Sequence, residues 1–224
     1  MVFYTRRRNC QLSLVNCQLI RRCISIVKIK ICGLSRPCDI DAVNEFGPDY
    51  IGFVFAESRR RVTPEQALAL RRRLRPGIVP VGVFVDEDVG NIVSLANSGV
   101  IEMVQLHGSE DEGTVRRIKK LTGKPVIKAV AVQNRGEAEK WNGSAADFLL
   151  LDHIGGGTGE HFDWNLIGKP SKPFFLAGGI GPEIAVKAVK TVHPYAIDAS
   201  SGVETDGLKD RYKIQDLVRR IRHE

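Results

Sequence analysis

The stretch VPVGVFVDEDVGNIVSLANSGVIEMVQLH, residues 79–107, decides the fold class because it contains one complete strand–helix–strand unit. Its two short apolar runs, at 79–85 and 101–107, are typical of parallel strands that are buried on both faces. The run between them that starts at Asp88 is typical of a helix, since Asp is a favourable N-cap. The unit therefore predicts a parallel sheet with helices packed against it.

The same alternation repeats along the rest of the chain. Eight apolar runs of this kind start at Val27, Tyr50, Val79, Ile101, Pro125, Asp147, Pro173 and Tyr195. Helix-like segments separate most of them, starting at Thr63, where Pro64 suits the first helical position, and then at Asp88, Glu110, Asn134, Pro182 and Asp210. The Gly-rich link at 153–172 has room for only a short helix.

Eight strand–helix units without a linker predict an α/β fold, a single (β/α)8 TIM barrel. A doubly wound open sheet is the structural alternative. It is disfavoured because eight parallel strands of such even spacing are unusual there, and no GxGxxG motif follows the first strand.

Residues 1–26 differ in composition from the rest of the chain. They contain five Arg and no acidic residue, so they account for five of the net charge of +7 and leave +2 on residues 27–224. We expect them to be a basic N-terminal extension, disordered or loosely laid on the surface, that results from a mispredicted start; a transit peptide is the alternative. Residues 27–224 are expected to form the catalytic barrel domain.

Charge, hydropathy and cysteine usage exclude several function classes. A nucleic-acid partner is not expected, because a basic footprint should lie on the folded domain rather than in a leading segment. A membrane partner is not expected either, since no apolar run approaches the length of a span. Cys32 and Cys38, the two cysteines after residue 26, show no zinc-like spacing and no disulfide framework, which favours a reducing cytoplasm.

Polar and small residues cluster where the predicted strands end, which is where barrel active sites lie. The segments AGGI (177–180) and ASSG (199–202) lack bulky side chains, so backbone N–H groups can approach an anion there. Pro182 can open a helix whose N-terminus favours a phosphate. We predict a phosphate site between these two loops; the alternative is that the glycines only form tight turns.

Three further residues at strand ends are candidates for chemistry, each with a structural alternative. Cys32 ends the first strand and is either a catalytic residue or a small buried hydrophobe. Asp152 closes the apolar run LLLD and is either a helix cap or a proton donor. Arg60 lies in the run SRRR (58–61), which is either a solvated loop or a bidentate clamp for a substrate carboxylate.

Taken together, these motifs closely resemble the phosphoribosylanthranilate isomerase family. They run in the family's order over residues 27–224: KICG (30–33), GFVF (52–55), SRRRVTPEQA (58–67), VGVFV (81–85), VQLHG (104–108), LLLDH…GGTG…FDW (149–164), LAGGI (176–180) and DASSGVE…GLKD (198–210). The resemblance implies an aldose–ketose isomerase of tryptophan biosynthesis that performs an Amadori rearrangement on a small phosphorylated substrate. It implies no metal and no organic cofactor, and a chain that acts as a monomer or homodimer.

The resemblance also implies a role for individual residues. Cys32 matches the general base, and Asp152 matches the general acid. Arg60 matches the residue that binds the anthranilate carboxylate. Because three arginines are consecutive, the match has an ambiguity of one residue to either side, to Arg59 or Arg61. Asp198 matches a substrate-contacting Asp, and the phosphate is expected on the backbone around Gly157, Gly159, Gly178, Gly179, Ser200 and Ser201. His107 is expected to be a loop residue or a residue that contacts a catalytic group rather than the substrate, and a modestly lowered thiol pKa would suit Cys32 as a base.

Other functions fit the residues less well. An enzyme like indoleglycerol-phosphate synthase requires catalytic Lys and Glu at strand ends, and a metal-dependent epimerase requires paired His and Asp ligands. The five His of this chain are scattered. A barrel that binds its ligand without catalysis, or a basic-tailed RNA or membrane binder, is the alternative from a different class.

Overall fold

A computed structural model describes residues 27–153 and 163–223. Within them, eight parallel strands form a closed barrel: β1 (Lys28–Cys32), β2 (Tyr50–Val54), β3 (Val79–Phe84), β4 (Met103–Leu106), β5 (Val126–Ala131), β6 (Phe148–Asp152), β7 (Phe174–Leu176) and β8 (Ala196–Ala199). Each strand pairs with the next, and β1 pairs with β8 to close the sheet. The predicted (β/α)8 barrel is therefore confirmed, and the open sheet is wrong.

Six α-helices are found in the described residues: α1 (Pro37–Phe46), α2 (Pro64–Arg73), α3 (Val89–Asn97), α4 (Glu112–Thr122), α5 (Pro182–Val192) and α6 (Arg211–His223). The predicted caps of α2 and α3 are confirmed. The Thr63 hydroxyl accepts from the Gln66 N–H in a capping box, and the Asp88 carboxylate accepts from the Gly90 N–H. None of these helices has the length and apolar character needed to cross a membrane.

The helix expected from Asn134 is wrong. The connection between β5 and β6 contains turns and one 3-10 turn, Glu139–Trp141. Gly136 has a left-handed backbone (φ 94°), which stops a helix from starting there, and Gly143 follows two residues after the 3-10 turn. The described part of the β6–β7 link has only the 3-10 turn Trp164–Leu166, as expected for a short segment. The predictions for residues 1–26, Gly157 and Gly159 fall outside the described residues.

Alternate residues of each strand point into the barrel interior. These inward residues form an apolar layer at one end of the barrel and a polar layer at the other. Near the amino ends the interior is filled by Tyr50, Val81, Met103, Ile127, Leu150, Phe175 and Ala196. The Phe175 ring packs edge-on against Tyr50, with centroids 5.4 Å apart. Near the carboxyl ends, polar residues replace this apolar layer, and they include Lys30, Gln105 and Asp198. The functional site lies above this apolar layer.

A two-stranded hairpin follows β8 and closes over the same end of the barrel. After the 3-10 turn Ser201–Val203, strand β9 (Glu204–Thr205) pairs in antiparallel fashion with β10 (Leu208–Lys209). Glu204 and Lys209 are both buried there. The hairpin thus brings two charged side chains to the carboxyl end of the barrel.

Candidate active site

A cavity of about 220 Å³ lies at the carboxyl ends of the strands. All predicted site residues in the described part of the chain line it: Cys32, Arg60, Asp152, Gly178, Gly179, Asp198, Ser200 and Ser201. These residues come from the loop after β2 and from the ends of β1, β6, β7 and β8, which are far apart in the sequence. The structure therefore brings the predicted residues together at one place.

The thiol of Cys32 occupies a space that Gly52 leaves for it. Cys32 is opposite Gly52 in the β1–β2 register, and a Cβ atom at position 52 would lie 2.6 Å from Sγ. The Ser200 hydroxyl donates to the Cys32 carbonyl oxygen at 3.1 Å, which ties the end of β1 to the loop after β8. The thiol is thus held at the bottom of the cavity by its neighbours.

The pKa of Cys32 does not follow the sequence-based expectation. Burial raises the pKa of the thiol above its ordinary value, and Asp198 raises it further, whereas the positive charges of Lys30 and Lys209 lower it. Because burial outweighs these cations, the pKa is raised in the free site, and the expectation of a lowered pKa is wrong. The thiol is therefore protonated at neutral pH before substrate binds.

Lys30 is a site residue that the sequence analysis did not single out. Its Nζ lies 2.9 Å from Asp198 Oδ2, and Lys30 is directly opposite Asp198 in the β1–β8 register. Both side chains are buried, and Asp198 Oδ1 is a buried oxygen without a hydrogen-bond partner among the described residues. The strand period of two was the available signal, since it places Lys30 on the same face as Cys32.

Asp152, at the end of β6, is in contact with His107. Its Oδ1 accepts the N–H of His153 at 2.8 Å, and its Oδ2 is 3.5 Å from Nε2 of His107. The side-chain amide of Gln105 is 2.8 Å from Nδ1 of His107 and orients the ring. His107 lies in the loop directly after β4 and also lines the cavity, next to Asp152.

Arg60 is held in place by Glu204 of the hairpin. Its Nε and Nη2 donate to the two carboxylate oxygens of Glu204 at 2.7 and 2.9 Å, and no bond within the described residues uses Nη1. Its aliphatic stem lies over Gly33, where a Cβ atom would be 2.5 Å from Cδ. Of the three consecutive arginines, Arg60 is the one that lines the cavity.

Glu204 is the centre of a network of cations. Besides Arg60, it accepts from Nη2 of Arg59 at 2.7 Å and from Nζ of Lys209 at 2.5 Å. Burial on its own would raise the pKa of Glu204, but the hydrogen bonds from Arg60 and Lys209 lower it to about 2. Glu204 is thus a permanent anion at neutral pH that fixes the loop after β2 to the hairpin.

The loops after β7 and β8 approach each other through backbone atoms. Gly178 and Gly179 have left-handed backbones (φ 85° and 65°). A Cβ atom at Gly181 would lie 2.8 Å from the carbonyl oxygen of Gly202, and one at Gly202 would overlap the carbonyl oxygen of Ile180. The absence of side chains here leaves backbone N–H groups accessible to an anion.

No group of three or more His, Cys, Asp or Glu side chains within residues 27–153 and 163–223 is arranged to hold a metal ion. The polar atoms that the described residues bring to the cavity suit an organic anion: one guanidinium edge, one carboxylate oxygen without a partner among those residues, and the two glycine-rich loops. A thiol and a second carboxyl lie between them. The arrangement can bind a molecule with negative charges and transfer protons to and from it.

Comparisons with known proteins agree over nearly the whole barrel. A family model described as N-(5'phosphoribosyl)anthranilate (PRA) isomerase matches residues 29–220. The N-(5'-phosphoribosyl)anthranilate isomerase of Endomicrobium trichonymphae is 45% identical over 199 residues, which are 87% of this chain and 98% of that protein.

Two solved structures extend the agreement to the fold. One is a phosphoribosyl anthranilate isomerase in complex with reduced 1-(o-carboxyphenylamino)-1-deoxyribulose 5-phosphate, at 34% identity and a TM-score of 0.77. The other is a monomeric form generated from the dimeric isomerase of Thermotoga maritima, also at 34% identity and a TM-score of 0.77. Each match covers 88% of this chain and 100% of the other. The chain belongs to the N-(5'-phosphoribosyl)anthranilate isomerase family.

Proposed function

We propose that this chain converts N-(5'-phosphoribosyl)anthranilate into 1-(2-carboxyphenylamino)-1-deoxyribulose 5-phosphate, an aldose–ketose isomerisation in tryptophan biosynthesis. The observation that carries the proposal is that Cys32 and Asp152, from β1 and β6, line one cavity together with Arg60 and the two glycine-rich loops. Membership of the family supports the same reaction. The residue roles that follow are part of the proposal.

The first step opens the sugar ring, and Asp152 is the acid. Its protonated carboxyl gives a proton to the furanose ring oxygen, the bond from C1 to that oxygen breaks, and the anilino nitrogen lone pair forms the C1=N bond of an iminium. His107 lies beside this carboxyl, with Nε2 at 3.5 Å from Oδ2. A positioned proton donor of this kind contributes about 10²–10⁴-fold to the rate.

The second step moves a proton at carbon, and Cys32 is the base. Its thiolate removes the proton from C2, and the electron pair moves to the iminium to give an enolamine. The enolamine then takes a proton at C1 and loses the proton of its C2 hydroxyl, which gives the amino ketone. Substrate and product contain the same atoms, so the reaction needs no oxidant, reductant or organic cofactor.

Substrate binding relies on opposite charges at the two ends of the molecule. The free edge of Arg60 that includes Nη1 takes the anthranilate carboxylate, while Glu204 occupies the other edge. The phosphate is held by backbone N–H groups around Gly178, Gly179, Ser200 and Ser201, and by Gly157 and Gly159 from the segment outside the described residues. Asp198 Oδ1, which is buried and has no hydrogen-bond partner in the described part of the chain, accepts from a sugar hydroxyl between the two ends.

The setting of the enzyme follows from the same chemistry. The described cysteines, Cys32 and Cys38, are free thiols, and a thiolate base requires reducing conditions, so we place the enzyme in the cytoplasm. The isomerase of Thermotoga maritima, to which this chain is similar, is dimeric. This chain acts as a monomer or a homodimer, and light scattering on the purified protein would distinguish the two.

The test is to identify the product. The purified chain is incubated with N-(5'-phosphoribosyl)anthranilate that carries ¹³C at C2, and the carbon is followed by NMR from a secondary alcohol to a ketone. Asp152→Asn serves as the matched variant, because it keeps the shape of the side chain but cannot supply the acidic proton. A ketone signal from the wild type only is expected. Binding without any ketone would favour a barrel that has lost catalysis, and equal rates in both proteins would remove Asp152 as the acid.

A further inference from the structure

Lys30 is a buried cation for which the mechanism above has no use. It is one of the largest side chains with no exposed surface, and it points into the barrel from the middle of β1. Burying an ammonium group is unfavourable unless a partner compensates for the lost water. Its carboxylate partner is Asp198, whose Oδ2 lies 2.9 Å from Nζ. A charge retained at this cost, next to the reacting thiol, calls for a functional explanation.

Four charged groups act on the thiol of Cys32 from the elements around it. They are Lys30 on β1, Asp198 on β8, Lys209 on β10 and Arg60 in the loop after β2. Lys209 and Arg60 are both engaged by Glu204, which neutralises much of their effect. Lys30 differs from them, because its partner Asp198 has a second oxygen, Oδ1, that has no hydrogen-bond partner within residues 27–153 and 163–223 and can bind substrate.

We propose that Lys30 is a positioning residue that stabilises the thiolate of Cys32 during turnover, and that Asp198 neutralises this charge until substrate binds. A sugar hydroxyl that donates to Asp198 Oδ1 draws the carboxylate charge away from the ammonium group. The field of Lys30 then acts on Sγ, and the thiol proton leaves to water through the open cavity. Lys30 keeps its own proton throughout. The part of this scheme that involves the sugar rests on the proposed function; the opposite effects of Lys30 and Asp198 on the thiol do not.

The two charges predict opposite effects on the same thiol. Burial raises the pKa of Cys32, Lys30 lowers it and Asp198 raises it. Lys30→Met removes the cation and leaves the anion, so the thiol should ionise at higher pH. Asp198→Asn removes the anion, so the ammonium group is left with the thiolate as its partner and the thiol should ionise at lower pH. A merely structural role for the pair would disturb the site in the same way in both variants.

The experiment is the rate of alkylation of Cys32 by iodoacetamide as a function of pH, measured peptide by peptide with mass spectrometry. The exposed Cys38 in the same protein is the internal control. At a pH below the midpoint for ionisation of Cys32 in the wild type, a shift of one unit in the thiol pKa changes the alkylation rate about tenfold. We expect a decrease of this size for Lys30→Met, an increase for Asp198→Asn, a rate closer to wild type for Lys30→Arg, and no change at Cys38.

The outcomes separate this inference from the proposed function, because alkylation requires no turnover. Shifts of opposite sign support the role of Lys30 even in a protein that shows no isomerase activity. Shifts of the same sign, or no shift in either variant, overturn it even in an active isomerase. If Lys30→Met does not fold, the Asp198→Asn variant alone decides. An unchanged or higher pH midpoint for alkylation of Cys32 in that variant overturns the proposal.

Discussion

At the scale of single residues, Cys32 is the residue whose protonation state must change, since it is a thiol in the free site and a thiolate during turnover. Replacing Cys32 with Ala removes the proposed base without adding bulk, and we expect kcat to fall by about 10²–10⁴-fold, the usual contribution of one proton-transfer group. Steady-state kinetics measures this. Cys38→Ala is the matched control, because Cys38 is exposed at the start of α1 and does not line the cavity. Equal activity of the two variants would exclude Cys32 as the base.

Arg60 should act mainly on binding. Arg60→Ala removes a charge-assisted clamp that is made in both the ground state and the transition state, so KM should rise more than kcat falls. Charged hydrogen bonds of this kind contribute about 1.5–3 kcal/mol, which corresponds to a rise of roughly ten- to a hundredfold.

Arg59→Ala is the control for Arg60, because Arg59 also contacts Glu204 but its side chain is 57% exposed and does not line the cavity. Its KM should stay near that of the wild type. A large rise in KM for Arg59→Ala, with none for Arg60→Ala, would show that Arg59 and not Arg60 binds the substrate carboxylate.

At the scale of elements, the two glycine-rich loops depend on their lack of side chains. Gly202→Ala places a Cβ atom against the carbonyl oxygen of Ile180, so the loops after β7 and β8 must move apart. We expect KM to rise, and the free energy of unfolding to fall by about 1–3 kcal/mol, as for other overpacked sites. Gly143→Ala is the control, since a Cβ atom there meets no atom within 4 Å. Equal effects at both positions would show that close approach of the loops is unimportant.

The hairpin after β8 should contribute stability that depends on pH through Glu204. Its pKa is lowered to about 2 in the folded protein, so the stabilisation is fully present above the ordinary value near 4.5 and is lost as the pH falls towards 2. Glu204→Gln should therefore destabilise the protein by about 3 kcal/mol at pH 7, as expected when one partner of a buried ion pair is lost.

Urea unfolding of the wild type and of Glu204→Gln at several pH values tests this. The difference in unfolding free energy between the two proteins should be constant from pH 7 to about 5 and should shrink below pH 4.5. The reason is that only the wild type has a carboxyl at position 204, which takes up a proton when the protein unfolds. A difference that stays constant down to pH 3 would contradict the account.

The sequence predicted the barrel because eight apolar runs are a repeated local signal, and it predicted the positions of Cys32 and Asp152 because strand ends can be recognised locally. It did not predict the partners of these groups. Glu204 is 144 residues from Arg60, and Asp198 is 168 residues from Lys30, so only closure of the barrel brings them together. The predicted helix from Asn134 is wrong for a local reason. The backbone preference of Gly136 outweighed the repeating strand–helix pattern on which the prediction was based.

At the scale of the whole molecule, the barrel formed by the described residues is closed from β1 to β8 without residues 1–26. A shortened chain that begins at Val27→Met should therefore unfold with nearly the same free energy and retain full activity. It should also bind heparin more weakly, because the net charge falls from +7 to +2. Chemical denaturation, kinetics and heparin chromatography measure these three properties. Loss of folding or activity would show that the leading segment belongs to the enzyme.

The central claim is that this barrel isomerises N-(5'-phosphoribosyl)anthranilate by removing the proton from C2 of its sugar. A single-turnover experiment with enzyme in excess tests it most directly, with substrate that carries hydrogen or deuterium at C2 and with the loss of anthranilate-adduct fluorescence as the signal. We predict that the fluorescence falls far faster than in the uncatalysed reaction, and more slowly for the deuterated substrate. Fluorescence that decays at the uncatalysed rate, or that decays equally fast for the hydrogen and deuterium substrates, would contradict the account.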